Sequence, residues 1–178
     1  MHSILSRINN TSAFFSSCMM ALLAAISITS YMFFPNEATG DISISSLKVV
    51  ASNARRYPNK KQDLAFVNFN ITADLSPIFH WNTKQVFVYL QAEYTNSQGT
   101  NNEVVIWDRI IRRKEDAFVK FVGKNKYMFR DVSSSFKNAK PANYSLKFNV
   151  MPYVGVLTYG EAARTTEEVE FPAAKSRI

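Results

Sequence analysis

The pattern of apolar and polar positions changes once along this chain. From Ile8 to Asn36 there is no Asp, Glu, Lys or Arg, whereas all 14 acidic residues and every Lys and Arg except Arg7 lie after that stretch. Residues 13–34 read AFFSSCMMALLAAISITSYMFF, 22 positions without a charge. As a helix they would be about 33 Å long at roughly 1.5 Å per residue, which fits a hydrocarbon core of about 30 Å with a little tilt. The pattern therefore predicts a transmembrane helix over 13–34, a short N-terminal segment over 1–12 and a body over 35–178. The hydroxyls of Ser16, Ser17, Ser27, Thr29 and Ser30 can bond back to the helix or across to another helix. Tyr31, Phe33 and Phe34 fall where interfacial aromatics are common, and Pro35 ends the helix.

Beyond Asp41 the period falls from a continuous apolar run to two. Ala65, Val67, Phe69, Ile71 and Ala73 alternate with Asn68, Asn70 and Thr72. Val86, Val88, Leu90, Ala92 and Tyr94 alternate with Phe87, Tyr89, Gln91 and Glu93, and Tyr144, Leu146, Phe148 and Val150 with Ser145, Lys147 and Asn149. Successive side chains of a strand point to opposite faces, so such alternation is the mark of a half-buried strand. Further strands are expected at 42–51, 103–111, 118–122, 126–132, 155–159 and 164–171. Turn chemistry separates them: the polar run 55–63 with Pro58, the loop 95–102 (TNSQGTNN) and the break 137–143. Residues 74–85 are not strand-like and suit one helical turn, with Asp74 or Ser76 as cap and Pro77 early in it. Eight or nine strands with almost no helix give a mainly β body, an antiparallel β-sandwich-like domain preceded by a single transmembrane helix.

Composition narrows what the body can do. A single Cys rules out an intrachain disulfide framework, and His2 and His80 are too few for a multi-imidazole metal site. No cofactor is expected. The net charge of +7 comes from pairs and triplets at turns: Arg55-Arg56, Lys60-Lys61, Arg112-Arg113-Lys114 and Lys124/Lys126. Solvated loops are the favoured reading, attraction to anionic headgroups the second, and no nucleic-acid partner is expected. Cys18, inside the apolar run, reads as an ordinary small residue.

Nucleophilic catalysis needs a nucleophile, a base and oxyanion donors. His80 lies between Phe79 and Trp81 and reads as a packed or rim histidine. The run Ser133-Ser134-Ser135 reads as a loop, and Glu167, Glu168 and Glu170 as a solvated acidic face. Asp74, Asp108 and Glu93 sit beside aromatic or apolar residues, where structural hydrogen bonding is the expected role. No catalytic residue is assigned. Two sequons in the body, Asn143-Tyr144-Ser145 and Asn70-Ile71-Thr72, are glycosylation candidates, with Asn143 in a loop before a strand and Asn70 the weaker because it lies within one.

Arg7 and the α-amino group precede the apolar run, while Glu37, Asp41 and Lys48 follow it. The positive-inside bias places the N-terminus in the cytosol and the body across the membrane. The rival reading is a cleaved signal peptide with Ala38-Thr39-Gly40 at the cleavage site, and hence a secreted β-sandwich binding module. A secretory apolar core is about 7 to 15 residues, shorter than this one.

The phrases Ile71-Thr72-Ala73-Asp74-Leu75, Trp81-Asn82-Thr83-Lys84-Gln85, Ala92-Glu93-Tyr94 and Val105-Ile106-Trp107-Asp108, with Leu5-Ser6-Arg7 before a single anchor and a strand running into Val150-Met151-Pro152, carry a resemblance. The chain resembles the 22/23 kDa accessory subunit family of the eukaryotic signal peptidase complex, subunit 3, over nearly its whole length. The resemblance implies a single-pass type II protein of the endoplasmic reticulum membrane with a lumenal β-rich domain. It implies an accessory, non-catalytic role beside a separate catalytic serine protease subunit that removes signal peptides. The other implied partners are two smaller accessory membrane subunits and the lipid bilayer, with no small-molecule substrate.

Overall fold

In the computed structural model of the protein, residues 3–33, 37–54 and 57–176 are described. Phe34, Pro35 and the pair Arg55-Arg56 lie outside the described residues. One α-helix, α1 (Ile4–Phe33, 30 residues), precedes eight strands. It begins at Ile4, not at residue 13, and so takes in Arg7. From Ala13 onward α1 is uncharged on every side, and it has no fully buried residue in the chain's own fold. Several of its hydroxyls bond back within the helix: Ser16 Oγ donates to the Ser12 carbonyl at 2.9 Å, Ser17 to Ala13 at 3.0 Å and Thr29 to Ala25 at 2.8 Å. Each thereby avoids an unpaired hydroxyl in an apolar medium.

The strands are β1 (Thr39–Ala54), β2 (Tyr57–Asp74), β3 (Thr83–Thr95), β4 (Asn101–Ile111), β5 (Phe118–Lys124), β6 (Asn143–Pro152), β7 (Thr158–Arg164) and β8 (Lys175–Ser176). They form two four-stranded sheets, ordered β5-β2-β1-β8 and β4-β3-β6-β7. All pairings are antiparallel except the short parallel contact of β8 with β1. One apolar core lies between the sheets, and the alternating residues fill it as expected. Val67, Phe69 and Ile71 from one sheet and Val86, Val88, Leu90, Tyr144, Leu146 and Phe148 from the other are all buried. Phe69 meets Trp107 of the opposite sheet edge-on, ring centroids 6.3 Å apart.

Three expected strands are corrected. Residues 126–132 do not form one; they make a single bridge, Phe129 to Ala65. The segment instead straps the two sheets together: Asn125 N–H donates to the Val67 carbonyl, Lys126 and Tyr127 N–H to that of Ile106. Ile106 can receive them because the β3–β4 ladder skips it between Leu90–Trp107 and Gln91–Val105. That bulge also explains why the consecutive Ile106 and Trp107 are both buried. Phe129 then joins Tyr94, Phe136 and Phe171 in an aromatic cluster, and the Tyr94 hydroxyl donates to Asp131 at 2.8 Å. The expected strands 155–159 and 164–171 are replaced by β7, which straddles the gap between them, and by one bridge from Ala142 to Val169. Last, part of the polar run 55–63 is not a break. Asp63, Gln62 and Lys61 continue the β1 ladder opposite Ala51, Ser52 and Asn53. The register then jumps to Ala54–Tyr57, leaving Pro58, which has no N–H to give, outside the pairing.

The expected helical turn is present as a single 3-10 turn, Ser76–Ile78, with Pro77 at its start. Asp74 Oδ1 accepts from the Ser76 N–H at 2.9 Å.

Candidate functional site

Two regions stand out: the junction between α1 and the body, and the outer face of the second sheet. At the junction sits Asn82, in the loop between the 3-10 turn and β3 and only 1% exposed. Its side-chain amide donates to Ser30 Oγ of α1 at 2.8 Å and to the Val154 carbonyl at 2.7 Å, while its Oδ1 accepts from the Val154 N–H at 3.1 Å. The Tyr153 N–H closes the arrangement on the Asn82 carbonyl at 2.8 Å. One buried amide thus ties helix, 79–82 loop and 153–157 loop together, with its donors and acceptor used. Beside it Gly155 has φ of +120°, and a Cβ there would lie 3.0 Å from Ser27 Oγ. The residue must be glycine both for its backbone and to let the helix approach.

His80 completes the junction. Its Nδ1 accepts from the Asn82 N–H at 3.2 Å, and burial holds the imidazole below its ordinary pKa. Desolvation and the acceptor role both favour the neutral ring. A cavity of about 30 Å³ lies between Ser27, Ser30, Tyr31, His80, Val154 and Thr158, room for about one water.

The outer face of the second sheet is divided into two bands. Nearer α1, residues paired across the strands make a row of Ile110, Phe87, Asn149 and Tyr159. Phe87 stacks on Tyr89 with centroids 5.5 Å apart, and Ile110 and Tyr159 are 48% and 68% exposed. Farther away lies a charged band centred on Glu93. Its carboxylate accepts from Lys147 Nζ at 2.7 Å, Arg164 Nη2 at 2.8 Å, Ser145 Oγ at 3.0 Å and Gln91 Nε2 at 3.2 Å. Gln91 also donates to Glu103 Oε2 at 2.7 Å, which separates two carboxylates that face each other across β3 and β4. Burial works to raise the Glu93 pKa, but the bonds from Lys147 and Ser145 and the nearby charges of Lys147 and Arg164 hold it below the usual glutamate value. An apolar aromatic row beside a satisfied polar band has the anatomy of a protein-docking surface. The outer face of the other sheet carries a polar strip, Asn68 bonded to Ser46 with Asn70 and Thr72 on the same face, flanked by the exposed Phe66, Phe118 and Val122.

The carboxylates that stood beside apolar residues have structural duties. Neither Asp74 nor Ser76 is the cap of the 3-10 turn, whose N-cap position is Leu75; Asp74 instead accepts from the Ser76 N–H, Asp108 accepts from Lys126 Nζ and Tyr127 Oη at 2.7 Å each, and Glu93 organises the charged band. Ser135 Oγ donates to Asp63 and Ser133 N–H to Asp131, so the serine run is a loop fastened at both ends. Asn143 is the first residue of β6, not a loop residue; it is half-buried and donates to Glu168 Oε1 at 3.2 Å. Asn70 lies mid-strand in β2, opposite Ser43 and Val122. Of the basic clusters, the exposed Arg112, Arg113 and Lys114 lie at the end of the sandwich nearest α1, since Ile111 partners Val86. Lys61 lies at the far end, opposite Asn53. Sequence reasoning did not single out Asn82 or Gly155. The signal that could have found them is slight: an Asn following His80 and Trp81, and a lone Gly between valines.

The chain matches the family described as "Signal peptidase subunit" over residues 1–174. It is 40% identical over 161 residues to "Signal peptidase complex subunit 3" of Gallus gallus, covering 88% of this chain and 87% of the relative. It is 34% identical over 183 residues to the protein of that name from Yarrowia lipolytica, covering 97% and 98%. The Homo sapiens protein of the same name is 34% identical over 160 residues, covering 88% and 87%.

Proposed function

The chain belongs to the signal peptidase complex subunit 3 family, and from that premise we propose that it is a non-catalytic accessory subunit which holds and stabilises a separate catalytic serine protease subunit. Its partners in this reading are that catalytic subunit, two smaller accessory membrane subunits and the bilayer. The helix anchors the chain in the endoplasmic reticulum membrane with the N-terminus cytosolic and the sandwich in the lumen, supported by Arg7 before the apolar run and Glu37 and Asp41 after it. Asn143 is the preferred glycosylation site within the lumenal domain.

The observation that carries the reading is that the family match takes in helix and body alike, residues 1–174. The side-chain chemistry supports it. Glu93, Asp74, Asp108 and Asp131 are engaged in hydrogen bonds that shape the fold. The aromatic row on the second sheet supplies a preformed surface for a folded partner.

The test is depletion of this chain from purified complex, followed by assay of signal-peptide cleavage and its persistence on warming. The expected result is loss of stable activity. Full and lasting activity without the chain would end the proposal. Asn143→Gln, compared by mass with the parent protein, tests the glycan.

A further inference from the structure

We propose that the α1 end of the sandwich rests in the headgroup layer of the membrane, with Trp81, Tyr153, Val156 and Leu157 inserted at the boundary with the acyl chains. This rests on the membrane-anchor reading above and adds a second, body-borne contact with lipid.

The depth is set by the helix. Among the described residues of α1 beyond Ser6, those half-buried against the body are Ile26, Ser27 and Ser30. The stretch from Arg7 to Ala25 is therefore free of the body, and at about 1.5 Å per residue it is roughly 28 Å long. That matches a hydrocarbon core of about 30 Å, with Arg7 at one mouth, where its guanidinium can reach the headgroups. Ser27 then stands at the other boundary. The span so placed runs from Ile8 to Ile26, several residues N-terminal of the 13–34 read from the sequence. The last turn of α1, with exposed Tyr31 and Phe33, lies in the headgroup layer, where aromatic side chains accumulate.

The body is fixed at that same depth. Ser30 is hydrogen-bonded to Asn82, and Ser27 lies against Gly155. The neighbours of those two residues are the exposed ones: Trp81 at 62%, Tyr153 at 67%, Val156 at 69% and Leu157 at 45%. Scattered apolar side chains on a soluble surface need no explanation, but these four ride on two loops stitched to each other and to the span. The same end carries the exposed Lys84, Arg112, Arg113 and Lys114, able to meet phosphates, together with Glu115 and Asp116. Exposed Glu37 and Asp41 lie at this end too, so the rim is of mixed sign, and apolar tips under a rim that includes basic side chains suit a lipid interface.

The test uses the full chain in phosphatidylcholine vesicles, with a fluorophore on a single cysteine and lipids spin-labelled near the headgroup or near the acyl terminus. The sites are the native Cys18, and Val156→Cys or Ser97→Cys in a Cys18→Ser background; Ser97 lies in the β3–β4 hairpin loop at the far end. The label on Cys18 should be quenched best by the deep lipid, and that at position 156 by the shallow lipid, at least about threefold more than at position 97, as immersion of about 5–10 Å requires. Leu157→Cys repeats the measurement on a second exposed position. A quenched Cys18 label with equal, weak quenching at 156, 157 and 97 overturns the proposal and leaves the anchor standing. An unquenched Cys18 label removes the anchor and the proposal with it.

Discussion

The side-chain amide of Asn82 donates to Ser30 Oγ at 2.8 Å, joining residues 52 apart in the chain. Through that bond the orientation of the sandwich on its helix becomes a property of the folded protein. A buried amide with several partners is costly to orphan, because each group left behind keeps its desolvation penalty. Asn82→Ala should therefore destabilise the chain by about 2–4 kcal/mol, leaving both polar groups of Val154 unpaired. Ser30→Ala removes one partner and should cost about 1 kcal/mol. Denaturant unfolding of the full chain in detergent, followed by tryptophan emission, measures both. Their double mutant should fall short of additivity if the bond couples helix to body.

Two glycines have steric roles that are separable. Gly160 lies opposite Phe148, and a Cβ there would come within 2.3 Å of the Phe148 ring. Gly160→Ala should cost about 1–3 kcal/mol, and adding Phe148→Leu should return part of that loss. Gly155→Ala should cost about 1–3 kcal/mol through its positive φ, and no change at Ser27 should restore it fully. Thermal unfolding of single and double variants distinguishes the two cases.

Acid sensitivity should be traceable to Glu93. Its folded pKa lies below the unfolded value of about 4.5, so the unfolded chain binds more protons in that window. The stabilisation is fully present above the unfolded pKa and is lost as pH falls through the lowered folded value. Glu93→Gln should therefore lower stability at neutral pH and leave a shallower decline below about pH 4.5. Unfolding midpoints measured from pH 7 down to about 3 give the slopes.

The aromatic row makes a separate demand on partner binding. Ile110→Asp and Tyr159→Ser alter exposed positions, so the unfolding midpoint should move little, by about 0.5 kcal/mol or less. Recovery of the catalytic subunit with the tagged chain should nevertheless fall severalfold. Equal alteration of the polar outer face, by Thr72→Asp, should leave recovery unchanged. If both faces behaved alike, the second sheet would lose its assignment as the docking surface.

How much of this was legible beforehand differs from place to place. The alternations around Phe69, Leu90 and Phe148 were readable because a strand with one buried face writes its orientation into every second residue. The strap 125–131 was not readable. Its apolar run Tyr127-Met128-Phe129 suits a short strand, yet its N–H groups are taken by Val67 on one sheet and Ile106 on the other, so it joins neither ladder at length. Pro58 and its polar neighbours suggested a break because hairpin ends that extend beyond the core lose the apolar half of the pattern. Asn143 read as a loop residue because the Pro141-Ala142 step precedes it, while the register opposite Glu93 makes it the first residue of β6.

The sequence by itself determined that an apolar helix precedes a β body, which side of each long strand faces inward, and that one Cys and two His cannot supply a multi-thiolate or multi-imidazole metal site. These follow from local periodicity and composition, which do not depend on what lies across the core. The tertiary structure alone decided where the helix meets the body, which outer face carries the row of Ile110, Phe87 and Tyr159, and why Asn82 and Gly155 must be what they are. Each depends on residues far apart in the chain: Ser30 with Asn82, Ser27 with Gly155, Phe87 with Ile110 and Asn149. A hydrogen bond or a steric contact at such separation leaves no period in the sequence, because it is set by the register of two sheets and the angle of one helix.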